Sequence, residues 1–419
     1  MIEDNSNTRT PIIRFQGFNG EWEKKKIGDI AIVLQGYGFP EKYQGQKYGD
    51  LPFCKVGDIS SAVDRGEMVI NKADNFVDYS LLPVLHAQPI PVGSTIFAKI
   101  GEAIRSNKRI RTGVPCLIDN NAAAVKSKGE ISDTFLFYLM SKVNLADYSG
   151  GIVPSVNKST IEAIDVLVPS SRNEQQKIAE CLEAIDQMIS AQNQKVESLK
   201  AHKKGLMQQL FPQPGATTPT LRFPGFTGKW QEKKLNKVFS RVTRKNAENN
   251  QNVLTISAQY GLISQLEFFK KSVASSDVTG YYLLHRGEFA YNKSSSQGRP
   301  VGAIKPLRLY DKGVVSTLYI CFKCNNPEEI DYWEQYFDAG ILDSEILSIA
   351  QEGARNHGLL NISTGDFFGL NVILPTPPEM KKIAECLSSF DDVITAAENE
   401  LDSLKAHKKG LMQQLFPQL

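Results

Sequence analysis

This 419-residue chain is short of most features that would place it quickly. It has no apolar run near the roughly 20 residues a membrane helix needs. Its opening residues, MIEDNSNTRT, are polar and partly acidic, unlike a secretory signal, so a cytoplasmic protein is expected. Cysteine is sparse, and Cys54, Cys116, Cys181, Cys321, Cys324 and Cys386 suggest no disulfide framework. Cys321 and Cys324 form a lone CxxC; a zinc site would want a second pair, and the surrounding LYICFKC alternates like a buried strand. Neither sign of charge is in excess, with 48 basic and 46 acidic residues and a net charge of +2, so any electrostatic footprint must be local. Catalytic motifs are missing as well. There is no P-loop, no Asn-Pro-Pro-Tyr or Asp-Pro-Pro-Tyr, no HExxH and no GxSxG. No catalytic or metal-ligating residue is assigned.

What the chain does have is a repeat. SLKAHKKGLMQQLFPQ runs from Ser198 to Gln213 and again, letter for letter, from Ser403 to Gln418. The repeated block starts earlier, with KIAECL at Lys177 and at Lys382. A second repeated element stands ahead of each intervening region: RFQGFNGEWEKKKI from Arg14 and RFPGFTGKWQEKKL from Arg222. In the first block Ile178, Leu182, Ile185, Ile189, Val196, Leu199, Leu206 and Leu210 follow alternating steps of four and three, with Gln192 and Lys203 filling the gaps. Ile383, Leu387, Phe390, Ile394, Ala397, Leu401, Leu404, Leu411 and Leu415 repeat the pattern, and Lys408 matches Lys203. This is a coiled-coil seam. Ser171 to Glu174 and Thr376 to Glu379 have capping-box spacing, and Pro212 and Pro417 stop the helices. Each helix is then about 39 residues, or about 58 Å. Gly205 and Gly410 lie inside them and are candidate bends. The expected architecture is α+β: two mixed β-rich domains related by internal duplication and separated by two long antiparallel coiled-coil helices. The boundaries are 1–170, 171–212, 213–375 and 376–419.

The intervening regions have diverged, yet one frame persists. Gly93 to Lys99 and Gly287 to Lys293 both read glycine, five residues, lysine. The loops that follow are basic and polar. The first offers Lys99, Arg105, Asn107, Lys108, Arg109 and Arg111. The second offers Tyr291, Asn292, Lys293, Ser294, Ser295, Ser296, Gln297 and Arg299. Arg and Lys suit guanine edges, Asn and Gln suit adenine, and Ser and Lys suit phosphates. Each loop alone reads equally as a solvated hairpin; their matched positions favour DNA. Arg241 and Arg244 form a weaker basic patch. Tyr37, in QGYGF, is either a contact or part of a tight turn over a core.

With these pieces in order, the chain resembles the DNA-specificity subunit of type I restriction-modification systems. The resemblance rests on WEKKKIGDIA, KVGDIS at Lys55, NEQQKIAECL at Asn173, then WQEKKL, GEFAYNK and PEMKKIAECL, with LKAHKKGLMQQLF near each helix end. It covers essentially the whole chain. It implies two target-recognition domains, each reading half of a split, asymmetric DNA site, with the helices as a ruler. It also implies two docked modification (methyltransferase) subunits, and restriction (translocase-nuclease) subunits in complexes that cleave. S-adenosylmethionine, ATP and magnesium belong to those partners, and this chain holds no cofactor and no membrane. Candidate docking contacts are Lys200, Lys203, Lys204, Gln208 and Gln209, with their copies Lys405, Lys408, Lys409, Gln413 and Gln414. A coiled-coil adaptor with two β-rich binding modules, and a metal-dependent nuclease, are the competing readings.

Overall fold

A computed structural model of the chain describes residues 9–257, 261–269, 277–294, 300–350 and 360–417. The chain is mixed α+β and divides into two units: Met1–Val196 with Ala397–Leu419, and Glu197–Ala396. Two helices of 39 residues, Arg172–Leu210 and Pro377–Leu415, each contribute to both units. They stop short of Pro212 and Pro417, which cannot donate the next backbone hydrogen bond.

In the first unit a five-stranded sheet runs in the order Ala31–Gln35, Ala122–Ser127, Thr95–Ala98, Ile110–Thr112, Val69–Ile70. Its pairs are antiparallel except the last. One face, with Phe97, Ala123 and Val125, packs on helix Asp133–Lys142 and the first long helix. The other, with Ile96, Ile110 and Ala124, packs on helix Val56–Asp64. Leu51–Cys54 pairs with Asn75–Val77 and Leu117–Ile118 in a smaller sheet.

The second unit has a four-stranded antiparallel sheet in the order Phe239–Arg241, Ile320–Cys324, Phe289–Asn292, Ala303–Pro306. Helix Ile330–Asp338 covers one face with Trp333, Tyr336 and Phe337. Cys321 and Cys324 lie three residues apart on one strand, so they fall on opposite faces. Cys321 joins one apolar cluster and Cys324 the other. Burial pushes both thiols up, to about 12 and about 11. They are core residues and cannot share a metal.

The two glutamates with capping-box spacing do something other than cap. Glu174 is 1% exposed, and its carboxylate accepts from Arg14 Nε and Nη2, both at 2.7 Å. Trp22 Nε1 donates to the same carboxylate at 3.4 Å. Only half of the box forms, through the Glu174 N–H to Ser171 Oγ at 3.4 Å. In the second unit Arg222 holds Glu379, also 1% exposed, at 2.6 and 2.8 Å. The remaining guanidinium nitrogen of each arginine donates to a glycine carbonyl, Gly20 or Gly228. Both glycines have left-handed φ, +79° and +87°, which a side chain would strain. The RFxGFxG motif is therefore a turn that delivers an arginine to the head of a long helix. It leads into Glu23–Lys26, paired antiparallel with Asp165–Val168, and into Gln231–Lys234, paired with Asn371–Leu374.

Removing Arg14 leaves a buried carboxylate without its counter-charge. Arg14→Ala is expected to cost about 3–5 kcal/mol. Lys24→Ala, which removes an exposed pair with Asp165, is expected to cost under about 1 kcal/mol. Urea unfolding midpoints check both, and equal losses would contradict the assignment.

Candidate nucleic-acid interface

The glycine-to-lysine frame lands on equivalent strands. Thr95–Ala98 and Phe289–Asn292 are both interior strands, the third of five and the third of four. Gly93 and Gly287 start them with φ of +80° and +84°. Lys99 and Lys293 follow them at the sheet ends, both half-buried. Lys99 donates to Gln35 Oε1, and Lys293 Nζ reaches the Ile362 carbonyl at 3.4 Å. Burial holds both ammonium groups below the ordinary lysine range, although Asp119 partly offsets this at Lys99.

Around Lys99 the first unit assembles a polar cluster that sequence reasoning missed. Gln35 accepts from Lys99 through Oε1, while its buried Nε2 has no partner among the described residues. Burial raises the Asp119 carboxyl above its usual range. A Cβ on Gly36 would stand 1.7 Å from the Asp119 carbonyl oxygen, so the QGYGF loop needs its glycine there. Tyr37 is half-buried and donates its N–H to the Ile118 carbonyl at 2.8 Å. Phe39 stacks on buried Phe53 with centroids 3.8 Å apart. Hydrophobic periodicity carries no sign of such a cluster, because its members come from four separate strand ends.

The predicted contacts separate into outward and inward groups. Arg105 is exposed and pairs with Glu102, one turn away, at 2.9 Å. Asn107 takes a left-handed φ of 50° after the turn Glu102–Ser106, and Lys108 reaches Asp64 at 2.6 Å at the surface. Arg109 and Arg111 turn inward instead. They alternate with Ile110 on the strand and so share the face of Phe97. Arg109 is 7% exposed, lies 4.8 Å from the Phe97 ring centroid, and donates to Asn107 Oδ1 at 2.7 Å. Burial lowers its pKa to about 9. Arg111 donates to Glu183 on the first long helix at 2.5 Å and to Thr134 at 2.8 Å. Both therefore pack inward, and they also line a groove of about 400 Å³ with Asp64, Asp186 and Asn193.

The second unit sorts the same way. Tyr291 is fully buried, stacks on Phe367 and donates to the Val301 carbonyl at 2.7 Å, so it is a core residue. Asn292 Oδ1 accepts from the Ser294 N–H at 3.1 Å. Ser295, Ser296, Gln297 and Arg299 lie outside the described residues. Arg241 is exposed, whereas Arg244 is held at 3.1 Å by both carboxylate oxygens of Glu288.

On the helices Lys200, Lys204, Gln208 and Gln209 are exposed, as are Lys405, Lys409, Gln413 and Gln414. Lys203 and Lys408 are not free outer contacts. Lys203 is 9% exposed and reaches Asp391 at 2.6 Å. Lys408 reaches Asp186, the repeat equivalent of Asp391, also at 2.6 Å. Both fill the seam positions that their spacing already marked.

Residues 19–201 match the family described as Type I restriction modification DNA specificity domain. The match covers the first target region and most of the first long helix, a little under half of the chain. The curated MjaVIII specificity subunit of Methanocaldococcus jannaschii is 26% identical over 433 residues, covering 94% of this chain and 92% of the relative. The MjaIX specificity subunit of the same organism is 25% identical over 193 residues, covering 43% of this chain. That match spans 41% of the relative's length, and the match to the MjaX subunit spans 45%. Among solved structures, a type I restriction-modification S subunit from M. genitalium has a TM-score of 0.56 at 12% identity. It covers 98% of this chain and 100% of its own. That likeness is one of fold. Among the described residues no group of three or more His, Cys, Asp or Glu side chains is placed to hold a metal, and no helix is long and apolar enough to cross a membrane.

If Lys99 and Lys293 hold DNA phosphates, binding depends on groups that lose their charge earlier than surface lysines. Affinity for duplex DNA is expected to fall as pH rises through their lowered range. Lys99→Met with Lys293→Met should weaken binding about tenfold or more at neutral pH and flatten that fall. Wild-type affinity in the double variant, by fluorescence anisotropy, would contradict the role.

Proposed function

We propose that this chain is the DNA sequence-recognition subunit of a type I restriction-modification complex and is not itself an enzyme. Residues 1–170 and 213–375 act as target-recognition domains related by internal duplication, each reading one half of a split, asymmetric site. Helical segments 171–212 and 376–419 form an antiparallel coiled coil that spaces them and docks two modification subunits. Restriction subunits join where the complex cleaves. Methyl donor, ATP and magnesium sit on those partners in the cytoplasm.

The observation that carries this reading is a constant frame around changed loops. The arginine–glutamate contact, the strand pair that follows it and the seam lysine–aspartate pair occur once in each unit. The loops after Lys99 and Lys293 share little sequence. A ruler carrying two different readers requires that combination. In the first unit Asp186 meets Lys408 while Gln192, further along its helix, donates to Ala397 at 2.9 Å. The two segments therefore run in opposite directions there, as antiparallel packing requires. A rod of about 58 Å exceeds one duplex turn of about 34–36 Å, so unread base pairs would separate the half-sites.

The test is a genome-wide map of adenine methylation in the host with and without the gene. Loss of one split, asymmetric motif is expected. An unchanged map in a strain whose modification subunits are expressed and purify with this chain would overturn the proposal.

A further inference from the structure

The repeated KAHKKG stretch meets different neighbours in the two units. In the first, Lys405, Lys408 and Lys409 share a surface groove of about 380 Å³ with Lys142, the last residue of helix Asp133–Lys142. Ser141, Met412 and Gln413 complete its walls, and no carboxylate lines it. Lys408 is balanced by Asp186 at 2.6 Å, and Lys405 lies 3.9 Å from exposed Asp402. Lys142 and Lys409 have no acidic partner within ion-pair distance among the described residues. Burial also holds Lys142 below the ordinary lysine range, with no carboxylate to restore it.

The second unit lacks this arrangement. Tyr138 donates to Asp186 at 2.7 Å, and Gln335 donates to the repeat-equivalent Asp391 at 2.8 Å. Those matched contacts align Ser141 and Lys142 with Asp338 and Ala339. Where the first unit adds a cation, the second has a methyl group beside an aspartate, itself paired with Lys305 at 2.6 Å.

We propose that the groove formed by Ser141, Lys142, Lys405, Lys409 and Gln413 is a phosphate-binding site for the backbone of duplex DNA, present in the first unit alone. This rests on the recognition reading above and adds to it a contact that reads no base. Lysine ammonium groups are point charges suited to phosphate, and serine and glutamine side chains add neutral donors. A protein-docking centre would present aromatic or arginine anchors, and lysine is depleted there. The groove holds four lysines, no aromatic and no arginine.

Salt dependence tests it. Binding of the full chain to a fluorescein-labelled random duplex of about 30 base pairs is followed by anisotropy from about 50 to 200 mM salt. Lys142→Gln with Lys409→Gln should reduce the slope of log K against log salt by about 1.8, because each phosphate contact contributes about 0.9. Its thermal unfolding should match the wild type. Lys204→Gln, the repeat counterpart of the second substitution, should leave the slope unchanged. A wild-type slope in the double variant overturns the site. An unchanged slope with lost co-purification of the modification subunit overturns it in favour of an acidic protein surface. Absence of any salt-dependent duplex binding by the wild-type chain fails the recognition reading itself, a separate result.

Discussion

A carboxylate that is 1% exposed cannot stay charged unless something cationic reaches it, and this chain meets that demand twice with the same device. Glu174 and Glu379 stand at the heads of the long helices, and Arg14 and Arg222 come from turns about 160 residues earlier in sequence. Each bidentate contact ties the start of a variable region to the helix that follows it. The strand after each arginine then pairs with the strand just before the helix. Everything between is a loop closed at both ends by a fixed frame. That leaves the sheet-end loops free to change without disturbing the frame.

Much of this was legible in the sequence. The seam spacing and the flanking prolines predict two helices of about 39 residues, and the helices are 39 residues long. The repeated RFxGFxG motif was legible as a motif but not as a contact, because a capping-box glutamate and a clamped glutamate have the same spacing. The glycine-to-lysine frame pointed to matching strands, and it lies on them. Individual side chains were less legible. Arg109, Arg111 and Tyr291 sit in polar-looking loops, yet strand alternation turns the arginines toward Phe97 and Phe137 and the tyrosine onto Phe367. The polar group around Gln35, Lys99 and Asp119 comes from strand ends far apart in sequence, which no local pattern reveals. Lys203 and Lys408 fit the seam spacing and were also candidate docking contacts; Lys203 is buried, Lys408 is half-buried, and each is paired with an aspartate.

Two helices that share one identical stretch, and loops that differ, divide the physical work. Lys203 and Lys408 of that stretch are held by Asp391 and Asp186, while its other lysines and glutamines among the described residues are exposed. Even so, an identical stretch does not make an identical surface. Two neighbouring differences, Ser141 and Lys142 in one unit against Asp338 and Ala339 in the other, give the same repeated lysines different electrostatic surroundings. Two copies of one sequence can therefore have unequal affinities for a polyanion.

The proposed ruler makes one demand: the spacer between half-sites must follow the length of the helices. The most direct measurement adds one heptad to both long helices at facing positions and maps the methylated motif in cells carrying the altered chain. Seven residues lengthen each helix by about 10 Å, about three base pairs of duplex. Unchanged half-sites with a spacer longer by about that amount are expected. The original spacer kept with both half-sites intact would contradict the ruler.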